Sequence, residues 1–391
     1  MPVSTTSVWR SSADAGAVGV VGASSEPAGH VDEFGVYLHI PFCAHRCDYC
    51  AFATWDDRPH LLEPYLAALG REIDVAVAAG LPPATTVFLG GGTPSLLTGA
   101  QLGALLARVP LAADAEVTVE ANPETITAQR CAGYLSVGVT RMSLGVQALV
   151  PATLVSLGRR HDPAVAVDAA RIVAAAGFAS WNLDLIYGAA GESLDDWRRT
   201  VEAAAALAPP HVSAYALTVE RGTPLAAAPE RHPDDDDQAD KYVVVDDVLT
   251  DAGLGWYEIS NWARPGHECR HNGLYWRQGD YAGFGCGAHG HRRGRRSWNV
   301  RSIERYLAAV EAGRSPEAGA EELDDETRAI EALQLALRLR AGVAASALPA
   351  DALGPADGAL VERSDGRARL TRQGRLLANE VAMHLTVPPA R

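Results

Sequence analysis

No stretch of the 391-residue chain is apolar for anything like the roughly 20 residues that span a bilayer, so no transmembrane helix is expected. The weakly apolar stretch from Ala15 to Ala23 is rich in Gly and Ala, with little Leu or Phe, and does not read as the core of a signal peptide. Cysteine is scarce too: six in so long a chain are too few for a disulfide scaffold. Positive charge is in deficit, with 34 basic against 48 acidic side chains and a formal net charge of −14, which repels a phosphate backbone and leaves nucleic acid out of the expected partners. What remains, 48% apolar and 21% charged, is the composition of an ordinary folded protein, of one large domain with an appendage or of two domains. A cytoplasmic location follows as the expectation, with any membrane contact peripheral and made through a partner.

Residues 1–34 carry Ser, Ala and Gly without periodicity and read as a mobile tail. From there short apolar runs alternate with helical patterns. Gly35–Ile40, Thr86–Leu89, Glu116–Glu120, Arg141–Val146, Trp181–Tyr187 and His211–Leu217 read as strands. Leu61–Ala79, Ala100–Arg108, Pro123–Leu135, Ala164–Ala175 and Leu194–Ala206 read as helices. Successive β-then-α units require a parallel sheet with helical crossovers, closed into a barrel or partly open. Reactive groups then belong at the carboxyl ends of the strands. The chain obeys this, with Gly90 to Pro94, Glu120 to Pro123, Gln147, and Tyr187-Gly188 all following strands. Beyond residue 225 lie an acidic run, Asp234 to Asp237, read as a solvated loop, and a stretch dense in aromatics, His and Gly. From 323 onward the pattern is helical again, with a small β-then-helix module at its end.

Three cysteines, Cys43, Cys47 and Cys50, crowd onto the loop leaving the first strand. Soft thiolates select iron–sulfur clusters, zinc or copper(I). A structural zinc site would need a fourth ligand, for which His39 or His45 is near enough, although such sites usually draw on two separated pairs. Three thiolates on a cubane cluster instead leave one iron open to another ligand.

This loop, with Gly90-Gly91-Gly92-Thr93-Pro94-Ser95 after the second strand, resembles the radical S-adenosylmethionine superfamily. His39 to Cys43, Leu157-Gly158-Arg159, Asp184 to Gly188 and Ser213 to Thr218 narrow the likeness to the oxygen-independent coproporphyrinogen III oxidase-like family, and within it to the HemW-type heme chaperones. The resemblance implies an α/β fold, a partial (β/α)6 barrel over 35–225, a core extension over 226–322, and a small helical, winged-helix-like domain over 323–391. It implies that Cys43, Cys47 and Cys50 hold a [4Fe-4S] cluster and that S-adenosylmethionine is bound by Gly91, Gly92, Thr93, Glu120, Gln147, Arg159 and Asp184, with Tyr37 and Tyr49 covering it. Taken singly, each of these residues also has a structural reading: tight-turn glycine, helix cap or packed tyrosine.

The family holds two functions on this apparatus. One is oxygen-independent coproporphyrinogen III dehydrogenase, a radical oxidative decarboxylation in porphyrin biosynthesis. The other is the heme chaperone, which binds heme and hands it to membrane or respiratory hemoproteins. Dehydrogenases carry one more cysteine two positions after the third, where this chain has Phe52, and they extend ordered sequence ahead of the cluster loop. His271-Asn272-Gly273-Leu274-Tyr275-Trp276 matches a pattern of the chaperones. That resemblance makes His271 a candidate axial ligand and Tyr275 and Trp276 candidate stacking partners for heme. The alternative is that these residues pack the region against the barrel. Arg292, Arg293, Arg295 and Arg296 form the densest basic patch, read either as partners for heme propionates or as an exposed solubilising loop. The turn Gly188-Ala189-Ala190-Gly191 lacks the proline usual in the family. The acidic balance points the C-terminal domain toward a protein partner or a second protomer rather than DNA.

Overall fold

The computed structural model describes residues 33–348 and 352–385; the expected tail lies almost wholly outside them. Six parallel strands form the frame: β1 (Phe34–Ile40), β2 (Ala84–Gly91), β3 (Leu111–Ala121), β4 (Arg141–Gln147), β5 (Ser180–Tyr187) and β6 (His211–Ala216). They lie side by side in chain order. Between them run α1 (Leu62–Ala78), α2 (Gly99–Leu106), α3 (Ala128–Leu135), α4 (Pro151–Ser156), α5 (Pro163–Ala176) and α6 (Leu194–Ala206). Strands β1, β2 and β4 are buried on both faces, as crossover helices require. Each helix turns an apolar stripe inward, as α1 does with Tyr65, Leu66, Leu69 and Ile73.

Local chemistry sets the helix ends. Thr98 with Gln101 and Ser193 with Asp196 form capping boxes, and Asp162 caps α5. Two expectations are corrected here. Pro123–Leu135 is not one helix but a 3-10 turn at Pro123–Thr125 followed by α3, which Thr127 caps. Asp234 to Asp237 is not a solvated loop: Asp234 caps α7 (Asp235–Asp251), and three aspartates occupy its first turn, where the helix dipole favours negative charge.

The sheet does not close. β7 (Gly255–Glu258) and β8 (Asn261–Ala263) extend it antiparallel beyond β6. On the other side β9 (Asp280–Phe284) pairs parallel to β1, followed by β10 (His289–Arg292), β11 (Arg295–Asn299) and β12 (Glu317–Glu322). Helix α8 (Arg270–Trp276) plugs the amino-terminal end of the barrel, and α9 (Ile303–Glu311) packs on α1. In the plug, His271 shares one ring nitrogen with Thr86 Oγ1 at 2.8 Å and the other with Tyr275 OH at 2.8 Å, while its ring stacks on Phe88.

The carboxyl-terminal part contains α10 (Asp325–Ala336), β13 (Val343–Ala344), α11 (Asp357–Leu360), β14 (Val361–Ser364), β15 (Arg367–Leu370), α12 (Arg372–Leu376) and α13 (Ala378–His384). Its three strands form a separate antiparallel sheet over a small core of its own, including Leu337, Leu348, Val361 and Leu370. An ion-pair latch joins it to the barrel. Asp246 of α7 takes two hydrogen bonds from Arg375 at 2.8 and 3.0 Å, one from Trp262, and a contact from Arg372 at 2.7 Å. Arg375 also stacks over Trp256.

Two outcomes follow. Burial opposes the charge on Asp246, but the Arg375 and Trp262 hydrogen bonds prevail and hold its pKa below the ordinary 3.8. Its contribution is therefore complete above that value and disappears as pH falls through the lowered one. Asp246→Ala should cost about 3–5 kcal/mol at neutral pH, and the gap to wild type in thermal unfolding should begin to narrow only as pH falls below 3.8. His271 behaves oppositely, because burial pushes its pKa down to about 3 from 6.5. The unfolded chain binds the extra proton, so acidification from pH 7.5 to 5 should remove about 2 kcal/mol through this group, and His271→Asn should flatten the pH slope of denaturant unfolding by that amount.

Candidate functional site

The loop after β1 is held by short-range backbone bonds, Trp55 N–H to Pro41 O at 2.8 Å and Cys43 N–H to Trp55 O at 3.0 Å. The glycine turn after β2 clamps it from the side. Gly92 N–H donates to Ile40 O and Thr93 N–H to Phe42 O, at 2.8 and 2.7 Å. A Cβ on Gly92 would lie 2.6 Å from Phe42 O. Gly91, at φ +109°, would drive one into the His39 ring. Only glycine allows this approach at both positions.

The three thiols are partly exposed on this loop. Burial pushes the pKa of Cys43 up to about 11, with the Thr93 hydroxyl pulling back, and raises that of Cys50 as well. Ligation would therefore release protons. Among the described residues, no three His, Cys, Asp or Glu side chains converge on a point that could hold one metal ion. A mononuclear tetrahedral zinc needs that convergence, whereas each thiolate of a cluster ligates its own iron. Of the two histidines suggested as a fourth zinc ligand, His39 is turned inward, its ring bonded to Tyr37 OH and Ala53 O, and His45 lies 3.8 Å from Asp56 Oδ2. The donor set thus fits a cubane cluster better than zinc.

Around the loop the strand ends supply a continuous polar rim. Gly91 N–H donates to Glu120 Oε2 at 3.2 Å, and Asn122 bonds Thr93 Oγ1. Arg159 is the hub, reaching Cys47 Sγ at 3.4 Å, Asn122 Oδ1 at 3.1 Å and Gly145 O at 3.1 Å. Gln147 ends β4 at φ +66°, beside a register shift, with its Oε1 buried and without a hydrogen-bond partner. An unmatched acceptor in a strained residue at a strand end is what a ligand donor would satisfy. Tyr49 is half-buried against the apolar cluster of Leu157, Ile186 and Leu225 beside the cysteines.

Below this rim the barrel encloses a polar chamber lined by Glu120, Arg141, Ser143, Asn182, Asp184 and His211, among others. Asp184 accepts from Ser143 at 2.7 Å and from Asn182 at 2.8 Å; Asn182 also bonds Ser213 and His211, and His211 bonds Tyr257. Burial, reinforced by the Asp184 charge, raises Glu120 to about 7.

The residues expected at the cofactor are thus brought together with the cysteines. The Tyr37 ring stacks on Phe88 inside the barrel, with an edge beside Glu120 at Gly90. The trio His271, Tyr275 and Trp276 sits at the opposite, amino-terminal end of the strands, roughly 15–20 Å away by strand rise. Both His271 nitrogens are committed internally, so in this conformation it offers none to iron, and the packing role is the one observed. Two members of the arginine patch are likewise paired, while Arg292 and Arg293 stay exposed. Arg295 pairs with Glu317 and Glu322, Arg296 with Glu321 and Glu331, and Arg292 lies over the Phe34 ring. Asn122, Arg141, Ser143, Asn182 and His211 were not expected. Their signal was available: polar residues at alternate positions of buried strands, as in Arg141/Ser143 and Asn182/Asp184, must share one face.

Residues 37–204 match the Radical SAM superfamily. Over 372 residues the chain is 45% identical to the heme chaperone HemW of Mycobacterium tuberculosis (strain ATCC 25618 / H37Rv), covering 90% of this chain and 94% of that protein. It is 34% identical over 370 residues to the heme chaperone HemW of Bacillus subtilis (strain 168), covering 88% and 97%. The solved structure of coproporphyrinogen III oxidase (HemN) from Escherichia coli, a radical SAM enzyme, superposes with a TM-score of 0.79 at 23% identity, covering 90% of each chain, a likeness of fold. With its thiol loop, glycine clamp and polar rim assembled on a partly open parallel barrel, the chain belongs to the HemW heme chaperone family of the radical SAM superfamily.

Proposed function

We propose that the chain is a heme chaperone that carries a [4Fe-4S] cluster on Cys43, Cys47 and Cys50, binds S-adenosylmethionine on the adjoining rim, and delivers heme to hemoproteins. Similarity of 45% over nearly the whole length to a protein named a heme chaperone carries this reading. The chamber supports it. Its free space is about 10 Å³, room for no more than one water, and α8 closes the end away from the cysteines. A tetrapyrrole does not fit inside without a large opening, so heme would bind on the outside.

The residues divide the work by their chemistry. Cys43, Cys47 and Cys50 would hold the cluster, which when bound supplies an iron free of protein thiolate. Arg159, touching Cys47 and fork-shaped, suits both a thiolate and a carboxylate. Gly91, Gly92 and Thr93 offer backbone and hydroxyl at close range, Glu120 can accept from hydroxyls, and Gln147 Oε1 can accept a further donor. Asp184 and Tyr49 complete the rim, Asp184 held by Ser143 and Asn182 below and Tyr49 excluding water beside the thiols. Coproporphyrinogen dehydrogenation remains the second reading, favoured by the HemN-like fold.

Reconstitution without oxygen, followed by parallel assays of heme binding by absorbance and of coproporphyrinogen turnover, decides between the two. Stoichiometric heme binding without turnover is expected; conversion to protoporphyrinogen with no heme bound would establish the dehydrogenase. Single replacement of Cys43, Cys47 or Cys50 by Ser should abolish the cluster's visible absorbance and bound iron, while Cys131→Ser, in the buried face of α3, should leave both intact. Gly92→Ala, by pushing Phe42 O away, should lower cluster occupancy without removing a ligand.

A further inference from the structure

A surface that carries heme needs an open nitrogen for the iron, an aromatic or apolar side for the macrocycle, and a cation for the propionates. Four of the described histidines are exposed, His60, His232, His289 and His384. Among the described residues, His289 is the one of these four with an aromatic ring against it, the Trp298 indole at 6.2 Å between centroids. Among the same residues no hydrogen bond engages its ring, whereas His232 and His384 each bond a carbonyl, of Leu225 and Glu380.

The fold explains why this histidine is open. β9 runs parallel to β1 and β10 antiparallel to β9, so His289, the first residue of β10, stands at the end of the sheet from which the thiol loop leaves. By alternation it shares a face with His291, which lies opposite Tyr281, and through Tyr281 and Gly35 with Tyr37, whose ring is inside the barrel. Because the sheet does not close, β10, β11 and β12 carry that inner face out to solvent. Opposite His289 on β11 is the half-buried Trp298, and opposite Trp298 on β12 is Gly319, where a Cβ would lie 2.7 Å from the indole. The glycine lets the indole lie over β12. Arg301, exposed just beyond β11, supplies the cation; its guanidinium donates to Ala51 O at 2.8 Å, next to Cys50. A Cβ on Gly287 would lie 3.0 Å from that of Ala53, so the lead into β10 packs on the return of the thiol loop. His289 is enclosed enough for burial, reinforced by the Arg301 charge, to lower its pKa from 6.5, which leaves the ring neutral at neutral pH with a lone pair to give.

We propose that heme is carried on this face, with His289 giving the iron an axial nitrogen, Arg301 facing a propionate and Trp298 packed against the macrocycle. The inference rests on the heme-carrying function proposed above and gives the cargo a place. Ligation shares an imidazole lone pair with the iron and displaces a water from it; no electron is exchanged and no proton is released. An axial imidazole stands upright on the ring plane, and the indole is tilted 31° from the imidazole, so Trp298 would meet the macrocycle edge-on, one of the arrangements that aromatic pairs prefer. Heme would then lie beside the thiol loop, at the opposite end of the barrel from the plug α8 and His271.

The test titrates ferric heme into full-length protein with its cluster reconstituted, following affinity by difference absorbance and the axial ligand by near-infrared magnetic circular dichroism. His289→Ala should weaken binding at least about tenfold and lose the histidine-ligand signature. Free imidazole should restore that signature, a rescue that a merely structural loss would not show. Arg301→Gln should weaken binding by less, and more at low salt than at high. His60→Ala, which removes an exposed histidine without such neighbours, should bind as wild type does, and unchanged melting temperatures verify each fold. Wild type that binds heme stoichiometrically, with affinity and ligand signature unchanged in His289→Ala, overturns the proposal and leaves the chaperone function standing. Binding lost in His271→Asn but kept in His289→Ala overturns it as well and assigns the heme to the plug. Wild type that binds no heme overturns the chaperone function itself, and this proposal with it.

Discussion

The arrangement depends on two backbone hydrogen bonds between loops, Gly92 N–H to Ile40 O and Thr93 N–H to Phe42 O. They tie the turn after β2 to the thiol loop after β1 at a separation no side chain would tolerate. Because β1 and β2 are neighbouring parallel strands in fixed register, His39 opposite Gly90 and Ile40 opposite Gly91, the clamp transmits the rigidity of the sheet to a loop with little hydrogen bonding of its own. Cys43 is thereby positioned by the core, and Cys47 and Cys50 follow through the loop and through Arg159, which reaches back from beyond β4. A loop that must hold three sulfur atoms at defined places gains pre-organisation from being strapped to a buried sheet.

The interior of the barrel is unusual for a parallel sheet in being polar on its inner face. Ser143, Asn182, Asp184, His211 and Ser213 occupy matched register positions on three adjacent strands and satisfy one another, while Arg141 donates to Ser180 Oγ and His267 O. Such a network specifies a single arrangement, because any slip would leave several buried groups unpaired at once. The plug α8 completes it from below through His271, Tyr275 and the Cys269 N–H bond to Tyr257 OH. The chaperone pattern in the sequence therefore corresponds, in this structure, to the closure of the chamber, and it stands at the far end from the cysteines.

Much of the frame was legible in the sequence because both signals were local. All six strands and all but one of the five expected helices lie where periodicity placed them, within a few residues, since crossover units leave each strand bounded by turn residues and each helix striped. The thiol loop was legible because spacing alone brings its ligands near one another. Failures came where context outranked composition. The aspartates of α7 look like a repelling run until the helix dipole and the cap are considered. Arg295 and Arg296 of β11 look free until β12 and α10 bring glutamates beside them. His271 looks like a ligand until Thr86, 185 positions away in sequence, occupies its second nitrogen. Those partners are distant in the chain and invisible to any window along it.

The burial of Lys241, the chain's single lysine, has a practical side. With that ammonium enclosed between α6 and α7, the described surface presents arginine as its source of fixed positive charge and no side-chain primary amine. Acylating tags, carbodiimide coupling to carboxylated beads and lysine-bridging cross-linkers would find no internal anchor on the native fold. Attachment strategies for this protein are better directed at carboxylates or guanidinium groups.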